Sequence, residues 1–203
     1  MTSLSERFFL AGVLAPLAML TPIFASFFAS DYNWLSQHMS ELQLRKDGFS
    51  LAVHGGAFVA GLALSSFAIG AFLRRGFFTA ITTLAFGIGM MANGIFPMGS
   101  PLHGLYGIAI FLILPPVIFV GEFQSASKPI WFRNYCYATA IASLTFMWLL
   151  LVGLEPAALR GLTQRMSTLV SFSWFAVAAL QIRTANAEHE REVTEASYGK
   201  LSR

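Results

Sequence analysis

Between residues 8 and 180 the chain is almost continuously apolar, and the apolar stretch divides into six runs: 8–28, 49–73, 77–96, 102–123, 135–154 and 162–182. Each is long enough to cross the roughly 30 Å hydrocarbon core of a bilayer as a helix, which satisfies its own backbone where lipid offers no hydrogen-bonding partner. The pattern therefore predicts an all-α, polytopic membrane protein, a compact bundle of six transmembrane helices joined by short loops. One long polar interval breaks it at 31–42, reading DYNWLSQHMSEL. Trp34, Leu35, Met39 and Leu42 recur there at helical spacing, while Ser36, Gln37, Ser40, Glu41 and Gln43 take the other face. That predicts a short amphipathic helix lying at the bilayer surface, in the first loop outside the bundle.

The details of each run add to this outline. Pro16 and Pro22 interrupt the first run, which a membrane helix tolerates when its neighbours re-satisfy the freed carbonyls; the length of the run favours a span over a signal peptide. Ala57, Gly61 and Ser65 in the second run and Ala85, Gly89 and Asn93 in the third form small-residue stripes that let helices approach closely. Pro115 and Pro116 should kink the fourth run. Arg165 falls in the first turn of the sixth, where it would snorkel to the interface. Beyond residue 182 the chain turns polar, with EHERE at 188–192, and is expected to be a frayed helix or disordered tail. The division is a transmembrane domain over 1–182 and a polar cytoplasmic tail over 183–203.

Composition agrees with the pattern. The chain is 56% hydrophobic and 11% charged, where a soluble domain carries about 25% charged residues. A formal net charge of +3 would admit nucleic acid as a partner, but the basic residues stand singly or in pairs at the ends of apolar runs, where topology explains them. Arg7, Arg74, Arg75, Lys128, Arg133, Arg183, Arg191, Lys200 and Arg203 fall on the side that holds both termini, against Arg45, Lys46, Arg160 and Arg165 on the other. Positive-inside reasoning places both termini in the cytoplasm of a bacterial inner-membrane protein and turns the 31–42 interval outward. The single cysteine, Cys136, excludes an internal disulfide and a multi-cysteine metal site.

Ionisable and amide groups inside a membrane are costly and mark a cavity or bundle interior, so they are site candidates by default. His38 lies in the polar interval, His54 one turn into the second run, His103 at the start of the fourth and Asn93 near the end of the third, all on the outer side. With Asp31, Ser36, Ser40 and Glu41 they make up a candidate ligand pocket. Three imidazoles with Asp31 or Glu41 nearby would suit a divalent metal, giving an intramembrane hydrolase of a lipid amide or ester that uses His38, His54 and His103. No HxxxH or HExxH spacing puts two of them on one helical face, so interhelical hydrogen bonding is the plainer reading and no metal or cofactor is expected. Axial ligation of haem by His54 and His103 rests on depth alone. A Ser–His–acid site lacks a GxSxG elbow, and Ser40 with Gln43 reads as a capping box. His189, in the charged tail, is expected in solvent.

The order DYNWLSQHMSEL after a first span, then GIFPMGSPLHG between the third and fourth, resembles the bacterial six-helix membrane family described as domain of unknown function 998. In that family the first outer loop reads close to S-x-x-x-S-E-L, and a G-x-F-P motif precedes a Leu–His pair. The matching positions are Ser36, Ser40, Glu41 and Leu42, then Gly94, Phe96, Pro97, Leu102 and His103. Where family members commonly carry an acidic residue after the motif's proline, this chain has Met98, Gly99 and Ser100, which weakens any metal or acid–base role for that position. The resemblance implies a fold and no reaction. The expected role is a bundle with an outward polar pocket, binding a lipid or small amphiphile or supporting a partner membrane protein.

Overall fold

The computed structural model describes residues 3–103 and 111–201. Among these the chain is all-helical: α1 (Leu4–Leu10), α2 (Leu14–Phe28), α3 (Gly48–Leu73), α4 (Phe77–Ile95), α5 (Leu114–Glu122), α6 (Ile130–Val152) and α7 (Arg160–Leu201), with short 3₁₀ turns at Ala11–Val13, Met39–Leu44 and Ala157–Leu159. Three helical stretches, Leu4–Phe28, Gly48–Leu73 and Phe77–Ile95, are long and apolar enough to cross a membrane. Their outer faces expose Leu17, Phe24, Phe28, Leu51, Phe72 and Phe78, and α6 likewise exposes Ile141 and Trp148. Apolar surface of this extent belongs in lipid, and the chain is a membrane protein.

The first rod is α1 and α2 joined through the Ala11–Val13 turn. Pro16 supplies no N–H for the carbonyl one turn earlier, and the chain tightens into 3₁₀ geometry at that place. Pro115 and Pro116 occupy the first turn of α5, where a missing N–H costs nothing, so the expected kink takes the form of a helix start. The rest of the fourth expected span lies partly outside the described residues. The tail after residue 182 continues α7 as one helix to Leu201, and the His189 side chain lies outside the described residues.

Side-chain bonds fix the two ends of the bundle. At one end, Arg74, just past α3, donates to Ser5 Oγ at 3.0 Å and to Asn186 Oδ1 at 2.7 Å, bringing together α1, α3 and the middle of α7. Glu122, closing α5, accepts from the backbone N–H groups of Phe78 and Thr79, both at 2.9 Å. α4 has no side-chain cap of its own, so a distant carboxylate fills that role. Glu122→Ala should therefore lower stability by about 1–2 kcal/mol, with Glu122→Gln losing less, as read by thermal unfolding in detergent. At the other end, Asp47 caps α3 through Phe49 and Ser50, and the Arg45 guanidinium 2.7 Å away holds the Asp47 carboxyl below its ordinary range. That contribution is present above the ordinary carboxylate pKa and is lost as pH falls through the lowered one.

Inside lipid, packing and shape hold helices together, since the solvent is as apolar as the side chains. Part of the interior is filled by rings from four helices, α1, α3, α5 and α7. Phe67 meets Phe9 edge-on at 4.9 Å and Phe175 at 5.4 Å, and Phe119 stacks on Phe123 at 4.5 Å and meets Trp174 at 5.5 Å. α3 and α4 pack backbone to backbone: a Cβ on Gly61 would fall 2.6 Å from the Gly87 carbonyl oxygen and the Met91 nitrogen. Gly61 and Ser65 are contact positions as expected. On α4, Gly87 and Met91 meet this face of α3, while Gly89 of the expected stripe is buried and Ala85 and Asn93 are partly buried.

Candidate functional site

At the end of the bundle away from Arg74 and Glu122, the interior opens into a cavity of about 360 Å³. Its floor is Phe86 and Phe172, whose rings lie 5.4 Å apart above the aromatic core. Its walls are mainly apolar, with Met19, Pro22, Val53, Ala57, Met90 and Phe146, and hydroxyls are set among them at Ser143, Ser167, Thr168 and Ser171. The roof is the Met39–Leu44 turn, which contributes Met39, Ser40 and Gln43. The cavity is thus an apolar chamber with polar groups under its roof, where a small polar pocket was expected.

The polar interval folds differently from its periodicity. Asn33 and Gln37 claim nearby backbone groups: Leu35 N–H donates to Asn33 Oδ1 at 3.1 Å, and Asn33 N–H to Gln37 Oε1 at 2.6 Å. Such local bonds compete with a helix, so 33–37 forms a turn and only Met39–Leu44 is helical, as a 3₁₀ segment. Glu41 opens that segment by accepting from His38 N–H at 2.8 Å, and its other oxygen accepts from Gln37 Nε2 at 3.1 Å. The capping box expected at Ser40 and Gln43 is accordingly replaced by a cap at His38 and Glu41. Ser40 instead donates to Met98 Sδ at 3.6 Å.

Three clamps hold the roof. Gln43, 5% exposed, donates to the Asn93 carbonyl at 2.7 Å and accepts from Met98 N–H at 3.1 Å, tying it to α4. On the α6–α7 side, His38 Nε2 lies 3.3 Å from Glu155 Oε1, and Met39 N–H donates to Gln164 Oε1 at 2.6 Å. The third clamp is Arg165, only 3% exposed. It donates to Ser26 Oγ at 3.2 Å, the Gln37 carbonyl at 3.2 Å, the Gly161 carbonyl at 2.7 Å and Tyr32 Oη at 2.9 Å. Burial pushes the Tyr32 phenol up against the opposing pull of Arg165, so Tyr32 keeps its proton and donates it to the Gln37 carbonyl at 2.8 Å. Gly161 completes the contact: a Cβ there would run into the backbone oxygens of Trp34 and Gln37. Arg165 therefore does not snorkel. It is a buried cation whose guanidinium joins α2, the 32–37 segment that leads into the roof, and α7.

Of the eight residues picked from sequence, the structure brings Ser40, Asn93 and His103 to the cavity wall. His103 Nδ1 donates to the Phe96 carbonyl at 2.9 Å, which in the neutral ring leaves Nε2 as an acceptor. Asn93 Oδ1 is buried with no partner among the described residues. His54 is not part of the wall; its Nδ1 donates to the Gly94 carbonyl at 2.9 Å and fastens α3 to α4. Asp31, Ser36, His38 and Glu41 lie off the cavity. Asp31 sits at a turn with φ of 55°, and His38 and Glu41 act in the clamps. Among the described residues no three His, Cys, Asp or Glu gather as a metal would need, so the His38–His54–His103 set is not assembled. His54 and His103, the pair considered for haem, each donate through Nδ1 to a carbonyl at the end of α4 or just past it.

Arg165, Gln43, Glu155 and Gln164 were missed as site residues. The signal for Arg165 was available, since the reasoning that singles out intramembrane histidines applies equally to an arginine inside an apolar run. Gln43→Leu should leave the Asn93 carbonyl and the Met98 N–H unpaired and cost about 2 kcal/mol of thermal stability, whereas Ser40→Ala, which loses only a weak bond to sulfur, should be nearly silent.

No curated protein and no solved structure matches the chain. Residues 11–181, which take in α2, the roof, the cavity lining and most of the bundle, match the family described as "Protein of unknown function (DUF998)", and the chain belongs to that family.

Proposed function

We propose that the protein is a six-pass component of the bacterial inner membrane, with both termini cytoplasmic and the cavity in its outward half, and that it binds a lipid or small amphiphile there. The observation that carries this reading is an apolar chamber of about 360 Å³ beneath a roof pinned to three sides. That volume lies in the range of small-molecule sites, and a chamber apolar below and polar above fits a molecule built the same way. Six passes are supported by the end-to-end bonds and by α6, whose 23 residues extend about 34 Å. α6 also runs antiparallel to α7, as the Cys136–Trp174 and Ser143–Ser171 bonds require.

Cysteine accessibility tests the orientation. Cys136 is fully buried and gives little background. A cysteine at Ser36 should react with an impermeant thiol reagent in intact cells and one at Ser197 should not; the reverse pattern would overturn the topology. Binding is tested by solvent extraction of protein purified in mild detergent, which should return a single-chain amphiphile at near one per chain.

A further inference from the structure

We infer that the cavity selects an amphiphile with a hydrogen-bond-donating, non-anionic head, a primary ammonium in first place, and that Glu155 Oε2 is its seat. This rests on the amphiphile-binding reading and adds the chemistry of the head. Glu155 is the one formally charged side chain among the described residues that line the cavity, and no Lys or Arg is among them. It is 9% exposed, and its two neighbouring cationic or donor groups sit on the same oxygen: His38 Nε2 at 3.3 Å and Arg160 Nε at 3.8 Å both approach Oε1. Oε2 has no partner among the described residues. Arg160 is half exposed and its charge is screened by water, so it offsets the carboxylate only in part.

Two further wall groups agree in sense. His103, committed through Nδ1 to Phe96, offers a lone pair at Nε2, and Asn93 holds an acceptor oxygen that no described group satisfies. Along the roof, His38 to Gln43 covers five residues of 3₁₀ rise, about 10 Å, so the Glu155 end and the Asn93 end bracket one small headgroup. A carboxylate or phosphate head would meet acceptors and a like charge in a low-dielectric chamber; an ammonium would gain a charge-assisted bond.

Three probes of equal chain length separate the outcomes: decylammonium, decan-1-ol and decanoate, titrated against the full chain in phosphatidylcholine nanodiscs and read by thermal stabilisation. The expected result is that decylammonium binds about tenfold tighter than decan-1-ol and more tightly still than decanoate, and that Glu155→Gln removes the ammonium advantage while leaving the alcohol unchanged. Decanoate binding as well as decylammonium, or an ammonium advantage that persists in Glu155→Gln, would overturn the inference and leave the amphiphile reading standing. An alcohol equal to the amine in the wild type would also overturn the ammonium assignment. Failure of all three probes to bind would overturn the amphiphile reading itself. Arg160→Gln, at an exposed position, provides an independent check should the Glu155 variant not fold: decylammonium affinity should rise two- to threefold, and an unchanged or lower affinity would count against Glu155 as the seat.

Discussion

Replacing Arg165 with leucine should destabilise the protein by about 3 kcal/mol or more and release the roof. The guanidinium is buried and serves four oxygen acceptors on Ser26, Tyr32, Gln37 and Gly161. Leucine fills part of the volume but strips four acceptors of their guanidinium bonds in a region that water reaches poorly, the Gln37 carbonyl keeping only its bond from Tyr32, and each loss carries its own desolvation cost. Arg165→Lys is not a rescue. An ammonium keeps the charge on a single atom and cannot reach a helix carbonyl, a loop carbonyl, a hydroxyl and a phenol from one position, as the planar fork does. Thermal unfolding in detergent should rank wild type above lysine and lysine above leucine. Both variants should also show faster proteolysis within 31–44 than at any helix. Equal melting of all three proteins would mean that the buried bonds contribute nothing net.

The second large effect is expected at Gly61, where the obstacle is backbone. Gly61→Leu would drive a side chain into the Gly87 carbonyl and the Met91 nitrogen, neither of which can move aside without shifting α4. Overpacking of this kind costs about 3 kcal/mol or more, and in a membrane, where close approach is itself the source of helix association, it removes the attraction along with the fit. Folded yield after mild extraction should collapse for Gly61→Leu. The lipid-facing Ile69→Leu on the same helix, at a residue 44% exposed, should leave yield unchanged.

These two cases also show what the chain discloses of itself. The apolar runs announce helices because lipid leaves the backbone no alternative, and α3 and α4 begin and end within a residue or two of their runs. The small-residue stripe on α3 was readable for the same reason. Its partner positions on α4 were not, because spacing alone does not say which of several small residues on a Gly-rich helix turns toward a neighbour. The 31–42 interval misled as to its secondary structure: its periodicity suits a helix, but Asn33 and Gln37 capture the backbone first, a competition that hydrophobic pattern does not register. The clamps depend on partners far apart in sequence, Gln43 with Asn93, His38 with Glu155 and Tyr32 with Arg165. Only tertiary structure brings them together. Arg165 looked like an interface residue because it stands near the start of a run, whereas Gly161 lets the roof fold down over it.

The claim that the chamber beneath that roof holds an amphiphile is tested most directly by filling it. Met147 lines the cavity and is half-buried, while Ile141, on the same helix, is 65% exposed on the outer face. Wild type, Met147→Trp and Ile141→Trp would be purified in parallel in the same mild detergent, extracted with organic solvent, and the retained single-chain amphiphile quantified per chain by mass spectrometry. Near-stoichiometric retention by wild type and Ile141→Trp, with at least a fivefold loss in Met147→Trp at matched melting temperature, is the predicted result. Equal retention by all three proteins would place the amphiphile on the outer surface and contradict a role for the cavity.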